Sequence, residues 1–394
     1  MKLVNEADLA GKRVLLRVDF NVPVDKEKVV DDTRIRSVLP TLRYLIDHQA
    51  RVIIAAHQGR PKGQGYERAY TLAPIAQALG ELLKQDVRLT HDLTGMQTIA
   101  DVEDLKPGEV LMLENLRFDS GEKQNSPEFA QSLAALADVY VNDAFAAAHR
   151  SHASIVGITE YLPSYAGFLL YRELETFHRM LSRPERPFIA ILGGSKVSDK
   201  LKVIDSLLDV VDGLIIGGAM CFTFLAALGH SVGSSLLEEN WIDKAAALLK
   251  KAAAKGVPLL LPSDVVCASE ISLTASTSIC SVDAIPEDQI GLDIGPATIE
   301  HYSQFIKEAR TVLWNGPMGV FELEPFARGT REIATAVAMN QKATTIIGGG
   351  DSIAAISKFG YNDLVSFIST GGGALLELLE GKSLPGVMAL EEQS

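Results

Sequence analysis

The stretch IAILGGSKVSDKLKVIDSLLDVVDG, residues 189–213, has the pattern of a buried strand that leads through a short loop into a helix. Its first four residues are apolar, and large aliphatic residues then recur at helical spacing over residues 201–211. Ser198 is a candidate N-cap, which places Lys196 in the loop and Lys200 in the first turn of the helix. Because a helix N-terminus already carries partial positive charge, two lysines at this junction indicate a nearby anion. The alternative is a solvated loop that carries two surface lysines.

The same alternation of a short apolar run and a helical segment recurs along the whole chain. The apolar runs are RVLLRV, RVIIAA, VLML and DVYV in the first half, and FIAIL, GLIIG, VPLLL, TVLW, TTII and VSFI in the second. Strands that alternate with helices predict βαβ units and parallel sheets. Since an eight-stranded barrel normally needs only about 250 residues, this α/β pattern favours two doubly wound, Rossmann-like domains.

The length of the chain and one proline-bearing segment suggest where the domains divide. A chain of 394 residues is too long for one ordinary core. The segment YLPSYAGFLLYRELETFHRMLSRPERPF, residues 161–188, joins a proline and glycine region to a helical pattern and a charged end. We expect a hinge helix at about residues 167–184, a first domain over residues 1–168 and a second over residues 169–372.

The composition argues against several classes of protein. A net charge of −13 does not suit a general nucleic-acid or membrane-surface binder, which needs surplus lysine and arginine. The three cysteines form no CxxC pair, so we expect core thiols in a reducing, cytoplasmic compartment. Residues 213–237 lack charged side chains, but glycines interrupt them, which favours a buried strand, a glycine turn and a helix over a membrane span.

In the first half, the segments that follow the predicted strands are rich in arginine, histidine, aspartate and asparagine. Ligands of open α/β sheets bind beyond the carboxyl ends of the strands, so these side chains should converge. They are Asp19, Asn21, Arg34, His57, Arg60, Arg117, His149, Arg150 and His152. The planar fork of arginine suits phosphate and carboxylate, so we expect a small, densely anionic ligand. His149 and His152 have no local third partner, so a zinc site is not expected.

In the second half, the corresponding segments are rich in glycine instead: GGSK, GGAM, NGPMG, GGGDS and STGGGA. Glycine lets backbone amides approach phosphate oxygens, and helix N-termini behind the loops add favourable potential. The sequence has neither a Walker A motif nor a strand-linked GxGxxG followed by a suitable acid. The pattern therefore predicts a nucleotide-binding lobe that uses neither of those fingerprints.

Nine motifs occur in the order expected of phosphoglycerate kinases, and the chain resembles that family over nearly its whole length. They are RVDFNVP, DTRIR, HQGRP, LENLRF, DAFAAAHRSHAS, GGSKVSDK, LWNGPMGVFE, GGGDS and STGGGALLELLEGK. The resemblance implies a two-domain monomer that transfers phosphate reversibly between 1,3-bisphosphoglycerate and ADP, giving 3-phosphoglycerate and MgATP. It also implies that the C-terminal tail, about residues 373–394, returns to the first domain.

The resemblance also implies roles for individual residues. At the phosphoglycerate site they are Asp19, Asn21, Arg34, His57, Gln58, Gly59, Arg60, Arg117 and Arg150. At the nucleotide site they are Lys196, Lys200, Gly291, Glu322, Gly349, Gly350, Asp351 and Ser352. Within the second set, Glu322 would face the ribose and Asp351 the magnesium ion. The implied catalytic residues are Arg34, Lys200, Gly350 and Gly372.

Four positions depart from the usual family pattern: Ala146, Ala147, Ser352 and Leu375. Alanine at 146 and 147 replaces the commoner Gly-Thr pair, serine at 352 replaces threonine, and leucine at 375 replaces a frequent serine. Ser352 keeps its hydroxyl group. Ala147 lacks one, which puts in doubt a minor hydrogen bond of about 1 kcal/mol.

The expected chemistry accounts for these residue types. The acceptor carboxylate is already ionised near neutral pH, so transfer needs no catalytic base. It needs charge neutralisation and in-line positioning, and closure of the two lobes would also exclude water. Two alternatives remain: a nicotinamide dehydrogenase, which should carry the missing glycine fingerprint, and a non-catalytic binding protein, which would have lost Lys200, Arg34 or Asp351.

Overall fold

The computed structural model describes residues 1–393 and divides the chain into two compact units. Unit 1 contains Met1–Thr176 and the end of the chain from Ser383, and unit 2 contains Phe177–Lys382. The sequence places these divisions slightly earlier, after residues 168 and 372. Each unit has its own hydrophobic core around its own parallel sheet.

Unit 1 is built on a six-stranded parallel sheet with a separate two-stranded hairpin. The sheet strands are β1 (Arg13–Arg17), β4 (Arg51–Ala55), β5 (Val87–Leu89), β6 (Val110–Met112), β7 (Val139–Asn142) and β8 (Ser164–Ala166). The hairpin strands are β2 (Val24–Asp25) and β3 (Lys28–Val29). The order across the sheet is β5-β6-β4-β1-β7-β8, and every neighbouring pair is parallel.

The helices of unit 1 connect these strands. They are α1 (Thr33–Asp47), α2 (Ala73–Leu83), α3 (Met96–Glu103), α4 (Ser120–Gln124), α5 (Pro127–Ala134) and the first part of α6 (Phe168–Ser182). Local capping sets the start of α5, because the Ser126 hydroxyl accepts a hydrogen bond from the Phe129 backbone N–H and Pro127 occupies the first helical position. Isoleucine, leucine and valine from one face of α1 are buried in the core of the unit.

Unit 2 is built on a second six-stranded parallel sheet and a three-stranded antiparallel sheet. The parallel strands are β9 (Phe188–Leu192), β10 (Gly213–Ile216), β11 (Leu259–Leu260), β15 (Thr311–Asn315), β16 (Thr344–Gly348) and β17 (Phe367–Ile368). The antiparallel strands are β12 (Asp264–Ala268), β13 (Ser278–Ser281) and β14 (Ile290–Ile294). The parallel strands lie in the order β11-β10-β9-β15-β16-β17. From β9 the chain first adds strands toward β11 and later adds strands on the other side toward β17, so the winding order reverses between β9 and β15, as in Rossmann folds.

The helices of unit 2 follow the strands in the same alternating order. They are the end of α6, α7 (Leu201–Leu207), α8 (Cys221–Ala227), α9 (Ile242–Lys255), α10 (Pro296–Lys307), α11 (Arg328–Met339), α12 (Gly350–Lys358) and α13 (Gly373–Leu379). The Asp264 carboxylate fixes the start of α10 by accepting hydrogen bonds from the backbone N–H groups of Ala297 and Thr298. A last helix, α14 (Pro385–Glu391), belongs to unit 1.

The predicted fold class is confirmed. A strand lies in each of the ten apolar runs, and the parallel sheets are doubly wound. The segment read as a possible membrane span forms β10, a glycine turn and α8. Within residues 1–393, no helix is long and apolar enough to cross a membrane. Of the three thiols expected in the core, Cys221 and Cys267 are buried, whereas Cys280 on β13 is only half-buried.

The end of the chain returns to unit 1 later than the resemblance implies. Helix α13 packs against α7 in unit 2, where the Leu375 side chain covers the glycine at 348. The return begins at Ser383, and α14 then packs beside β8, with the Gly386 N–H 2.9 Å from the carbonyl of Ala148. The leucine at 375 is fully buried, so this departure from the family pattern fills the core.

Candidate functional site

The carboxyl end of β1 is held to the start of α1 by an ion pair. Arg34 in the first turn of α1 donates to the Asp19 carboxylate, with 2.6 Å between Nη1 and Oδ2. The other oxygen of Asp19 accepts a hydrogen bond from the backbone N–H of Asn21 at 3.2 Å. Asp19 therefore orients both the segment that follows β1 and the guanidinium of Arg34.

The segment that follows β4 lies between the segments that follow β1 and β6. Asn21 accepts a hydrogen bond from the Gly59 N–H at 2.9 Å, and the Gly59 carbonyl accepts one from Arg117 Nη1 at 2.6 Å. The Gln58 side chain donates to the carbonyl of Val22 at 2.7 Å. These contacts bring together the predicted residues from three neighbouring strand ends.

His57 is buried and contacts Arg17, an arginine on β1. Arg17 Nη2 lies 3.2 Å from His57 Nδ1. A guanidinium can only donate, so we assign Nδ1 as the acceptor and place the imidazole proton on Nε2. Burial lowers the pKa of His57 well below 6.5, and the charges of Arg17, Arg117 and Arg150 lower it further. His57 is thus neutral, which suits ligand binding.

Arg17 is a site residue that the sequence reasoning missed. Its Nε donates to the Ser154 hydroxyl at 2.8 Å, and that hydroxyl donates to the Glu122 carboxylate at 2.7 Å. His152 Nδ1 lies 3.5 Å from the same carboxylate. Arg17, Ser154 and Glu122 are buried and the side chain of His152 is 12% exposed, so the four form a charged network that contacts His57 through Arg17. Arg17 lies between apolar residues in the run RVLLRV, and this position is the signal that could have identified it.

The remaining arginines give this sheet edge a surplus of positive charge. Burial, together with the charges of Arg150 and Arg17, lowers the pKa of Arg117 to about 10. Its Nε has no hydrogen-bond partner within residues 1–393, and Arg60 is exposed. Such crowding of cations is relieved when an anion binds among them.

The structure also shows the surroundings of the two alanines that depart from the family pattern, and the contacts of His149 and His152. Ala147 is buried in a small apolar cluster with Ala144 and Ile155, whereas Ala146 is half-buried. His152 contacts the Glu122 carboxylate, and Arg150 Nε lies 3.2 Å from His149 Nε2. No group of three or more potential metal ligands occurs in the described part of the chain.

In unit 2, a cavity of about 180 Å³ lies at the carboxyl ends of β9, β15 and β16, which we call the glycine pocket. This is the point where the strand order reverses, the usual ligand site of such sheets. The pocket is lined by Gly193, Gly194, Ser195, Lys196, Asp199, Lys200, Asn315, Gly316, Gly349, Gly350 and Asp351. Five of these residues were predicted: Lys196, Lys200, Gly349, Gly350 and Asp351.

The predicted position of Lys200 in the first turn of its helix is wrong. Helix α7 begins at Leu201, and Lys200 occupies the N-cap position. Its buried ammonium turns back to the strand ends and donates to the carbonyls of Gly193 at 2.6 Å and Asn315 at 2.8 Å. Burial lowers the pKa of Lys200 to about 8, although the charges of nearby aspartates oppose the shift.

Close backbone packing explains why glycine dominates this pocket. A Cβ atom at Gly193 would lie 2.0 Å from the carbonyl oxygen of Pro317. Gly349 has φ of 87°, in the region that favours glycine, and precedes the first residue of α12. Gly350 and Asp351, the first two residues of α12, line the pocket, and the first N–H groups of a helix have no partner within the helix.

A second, larger cavity of about 360 Å³ adjoins the glycine pocket, with Gly194, Ser195 and Asp351 lining both. We call it the apolar cavity because most of its walls are aliphatic or aromatic. Two other predicted residues, Gly291 and Glu322, also line it. A flat apolar group fits such a cavity, and the Glu322 carboxylate could bind a neighbouring hydroxyl pair.

Two predicted residues of unit 2 line neither cavity, and Asn315 is one of six residues of the glycine pocket that were not predicted. The Ser352 hydroxyl is buried and accepts a hydrogen bond from the Gly316 N–H at 2.5 Å, so it supports the pocket. Gly372 is the N-cap of α13. Asn315 was not predicted, yet its buried Nδ2 has no partner within residues 1–393 and lies beside Gly349. Its place in the NGPMG motif, after an apolar run, was the available signal.

Comparison with known proteins gives one consistent family. The family model described as phosphoglycerate kinase matches residues 4–382. A phosphoglycerate kinase from Moorella thermoacetica is 54% identical over 390 residues, covering 99% of both chains. One from Dictyoglomus turgidum is 50% identical over 390 residues, covering 99% of this chain and 98% of the relative.

Solved structures agree with the sequence relatives. Phosphoglycerate kinase from Coxiella burnetii superposes with a TM-score of 0.89 at 42% identity, covering 99% of this chain and 98% of that one. The enzyme from Pyrococcus horikoshii superposes with a TM-score of 0.88 at 34% identity, covering 100% of this chain and 99% of that one.

Proposed function

Because this chain belongs to the phosphoglycerate kinase family, we propose that unit 1 binds the phosphoglycerate and unit 2 binds the nucleotide. The chain is an enzyme, a phosphotransferase with a carboxyl group as acceptor. Its reaction is the reversible glycolytic transfer between 1,3-bisphosphoglycerate with ADP and 3-phosphoglycerate with ATP.

The observation that carries this proposal is the glycine pocket with a buried lysine and a carboxylate. Backbone N–H groups at Gly350 and the ammonium of Lys200 supply positive potential for phosphate oxygens. The adjoining apolar cavity would take the base, and Glu322 the ribose hydroxyls. Lys196 would add charge at the mouth of the pocket.

The arginine-rich edge of unit 1 suits a small anion with one phosphate and one carboxylate. Arg60 and Arg117 would hold the distal phosphate, because their guanidinium groups can donate two parallel hydrogen bonds. His57 would donate from Nε2 to a substrate oxygen. Arg34, already oriented by Asp19, would neutralise charge on the transferring group.

A magnesium ion fits the residues of the glycine pocket. Magnesium is usually held by one or two carboxylates together with substrate phosphates, and the pocket contains Asp351 and Asp199. We propose Asp351 as the protein ligand. When bound, the ion neutralises phosphate charge during transfer.

Transfer then follows from positioning and charge neutralisation alone. The acceptor carboxylate is ionised near neutral pH, so no residue has to remove a proton. Because each unit would carry one substrate, direct transfer requires the two substrates to be brought together, and lobe closure remains a prediction. A monomeric, cytoplasmic enzyme likewise remains a prediction from the family resemblance.

The first test is a steady-state assay of the full chain with 3-phosphoglycerate and ATP. We expect turnover that requires magnesium, because the triphosphate charge must be neutralised for transfer. Product ADP is measured by a coupled enzyme, with chelator added as the control. NADH with 2-keto acids is the comparison substrate. Nicotinamide-dependent turnover, with none from the phosphoglycerate pair, would contradict the assignment.

A further inference from the structure

The loop that joins β9 to α7, residues 193–200, is held at its centre by a carboxylate from another segment. The backbone N–H of Ser198 donates to Glu238 Oε2 at 3.0 Å, and the Ser198 hydroxyl donates to Glu238 Oε1 at 2.7 Å. Each oxygen of the carboxylate therefore accepts a hydrogen bond from the same residue. This contact explains why Ser198, the expected N-cap, does not begin the helix.

The surroundings of Glu238 indicate a fixed, ionised carboxylate. Its backbone N–H lies 3.4 Å from the hydroxyl of the buried Thr223 on α8. Burial acts to raise the pKa of Glu238, but hydrogen bonds from Ser198 and Val197 and the charge of Lys196 outweigh it and lower the pKa overall. A carboxylate that accepts several N–H and O–H bonds is a strong anchor for a loop.

The anchored part of the loop lies directly next to the glycine pocket. Gly193 and Gly194 are fixed by backbone hydrogen bonds to the end of β15 and the residues after it. Ser195 and Lys196 line the pocket between that fixed end and the contact at Ser198. Without Glu238, the loop would keep its fixed ends and the buried Val197 side chain, but both hydrogen bonds at Ser198 would be lost.

We propose that Glu238 is a positioning residue for nucleotide binding, which holds the 193–200 loop in the shape that presents Ser195 and Lys196 to the glycine pocket. The inference rests on the proposed nucleotide site. Glu238 is not among the residues that line the glycine pocket. Its effect is to remove in advance the conformational freedom that the loop would otherwise lose on binding.

Replacing Glu238 by alanine tests this role by calorimetry with MgADP and, separately, with 3-phosphoglycerate. We expect the Kd for MgADP to rise about tenfold and the Kd for 3-phosphoglycerate to stay unchanged. Simple electrostatics predicts the opposite sign, because removal of a negative charge near phosphate favours binding. Unchanged or tighter MgADP binding in Glu238→Ala would overturn the proposal.

Two further variants separate positioning from general loss of structure. Glu239→Ala removes the adjacent exposed carboxylate and should bind MgADP like the wild type. Ser198→Ala should weaken MgADP binding less than Glu238→Ala, and the double variant should be no weaker than Glu238→Ala alone. Additive losses, or equal losses for both ligands, would contradict the proposal. Failure of the wild type itself to bind MgADP would instead refute the proposed nucleotide site.

Discussion

Lys200→Ala is expected to lower kcat by on the order of 10² to 10³, while both substrates bind within about tenfold of wild type. The ammonium of Lys200 is buried and fixed by two backbone carbonyls at the strand ends, so its charge is preorganised beside the glycine pocket. Such a charge contributes most when negative charge develops on the transferring group.

Steady-state rates beside calorimetric binding of each ligand test this expectation. Lys202→Ala is the matched control, because Lys202 is exposed in the first turn of α7, two residues from Lys200, and its replacement should leave kcat unchanged. Since burial lowers the pKa of Lys200 to about 8, the free enzyme loses this charge as the pH rises through that value. kcat/KM for the nucleotide should therefore fall above that pH. Near-parental kcat in Lys200→Ala would show that the lysine is only structural.

Arg17→Met is expected to lower the free energy of unfolding by about 3–5 kcal/mol, the usual result of breaking a buried ion network. Arg17 donates to Ser154, which in turn binds the fully buried Glu122. Methionine preserves much of the side-chain volume but removes the charge. Its loss leaves the carboxylate of Glu122 without its nearest guanidinium.

Urea denaturation at neutral pH measures the change, and Arg60→Met is the control. Arg60 is exposed at the same sheet edge, so its replacement should change the free energy of unfolding by less than about 0.5 kcal/mol. Arg60→Met should nevertheless weaken phosphoglycerate binding. Equal stability of the Arg17→Met variant and the wild type would show that the buried network contributes little.

The fold could be predicted where the apolar pattern of the sequence was continuous. Strands such as β9 are buried on both faces and therefore appear as unbroken apolar runs. Strand β13 is mostly exposed, and β12 alternates between half-buried and buried positions. Neither strand therefore appears in the sequence as a continuous apolar run. For this reason the antiparallel sheet, which forms one wall of the apolar cavity, was not predicted.

The site could be predicted where motifs follow strands, but its supporting contacts could not. Lys196 and Asp351 were found because their motifs directly follow apolar runs. Glu238 was missed because its partner, Ser198, is 40 residues away in the sequence and only the folded chain brings them together. The same contact explains why the start of α7 was predicted too early. The Ser198 hydroxyl binds Glu238 instead of capping the helix, so a tertiary hydrogen bond overrides the local capping preference.

The division of the two ligands between the units is tested most directly by calorimetric titration of MgADP and 3-phosphoglycerate into Arg60→Ala and Lys196→Ala. Arg60→Ala should weaken 3-phosphoglycerate binding about tenfold or more and leave MgADP binding unchanged, because a charge-assisted hydrogen bond is lost only at that site. Lys196→Ala should do the reverse. If either variant weakened both ligands equally, or weakened only the ligand assigned to the other unit, the assignment of the two sites would be contradicted.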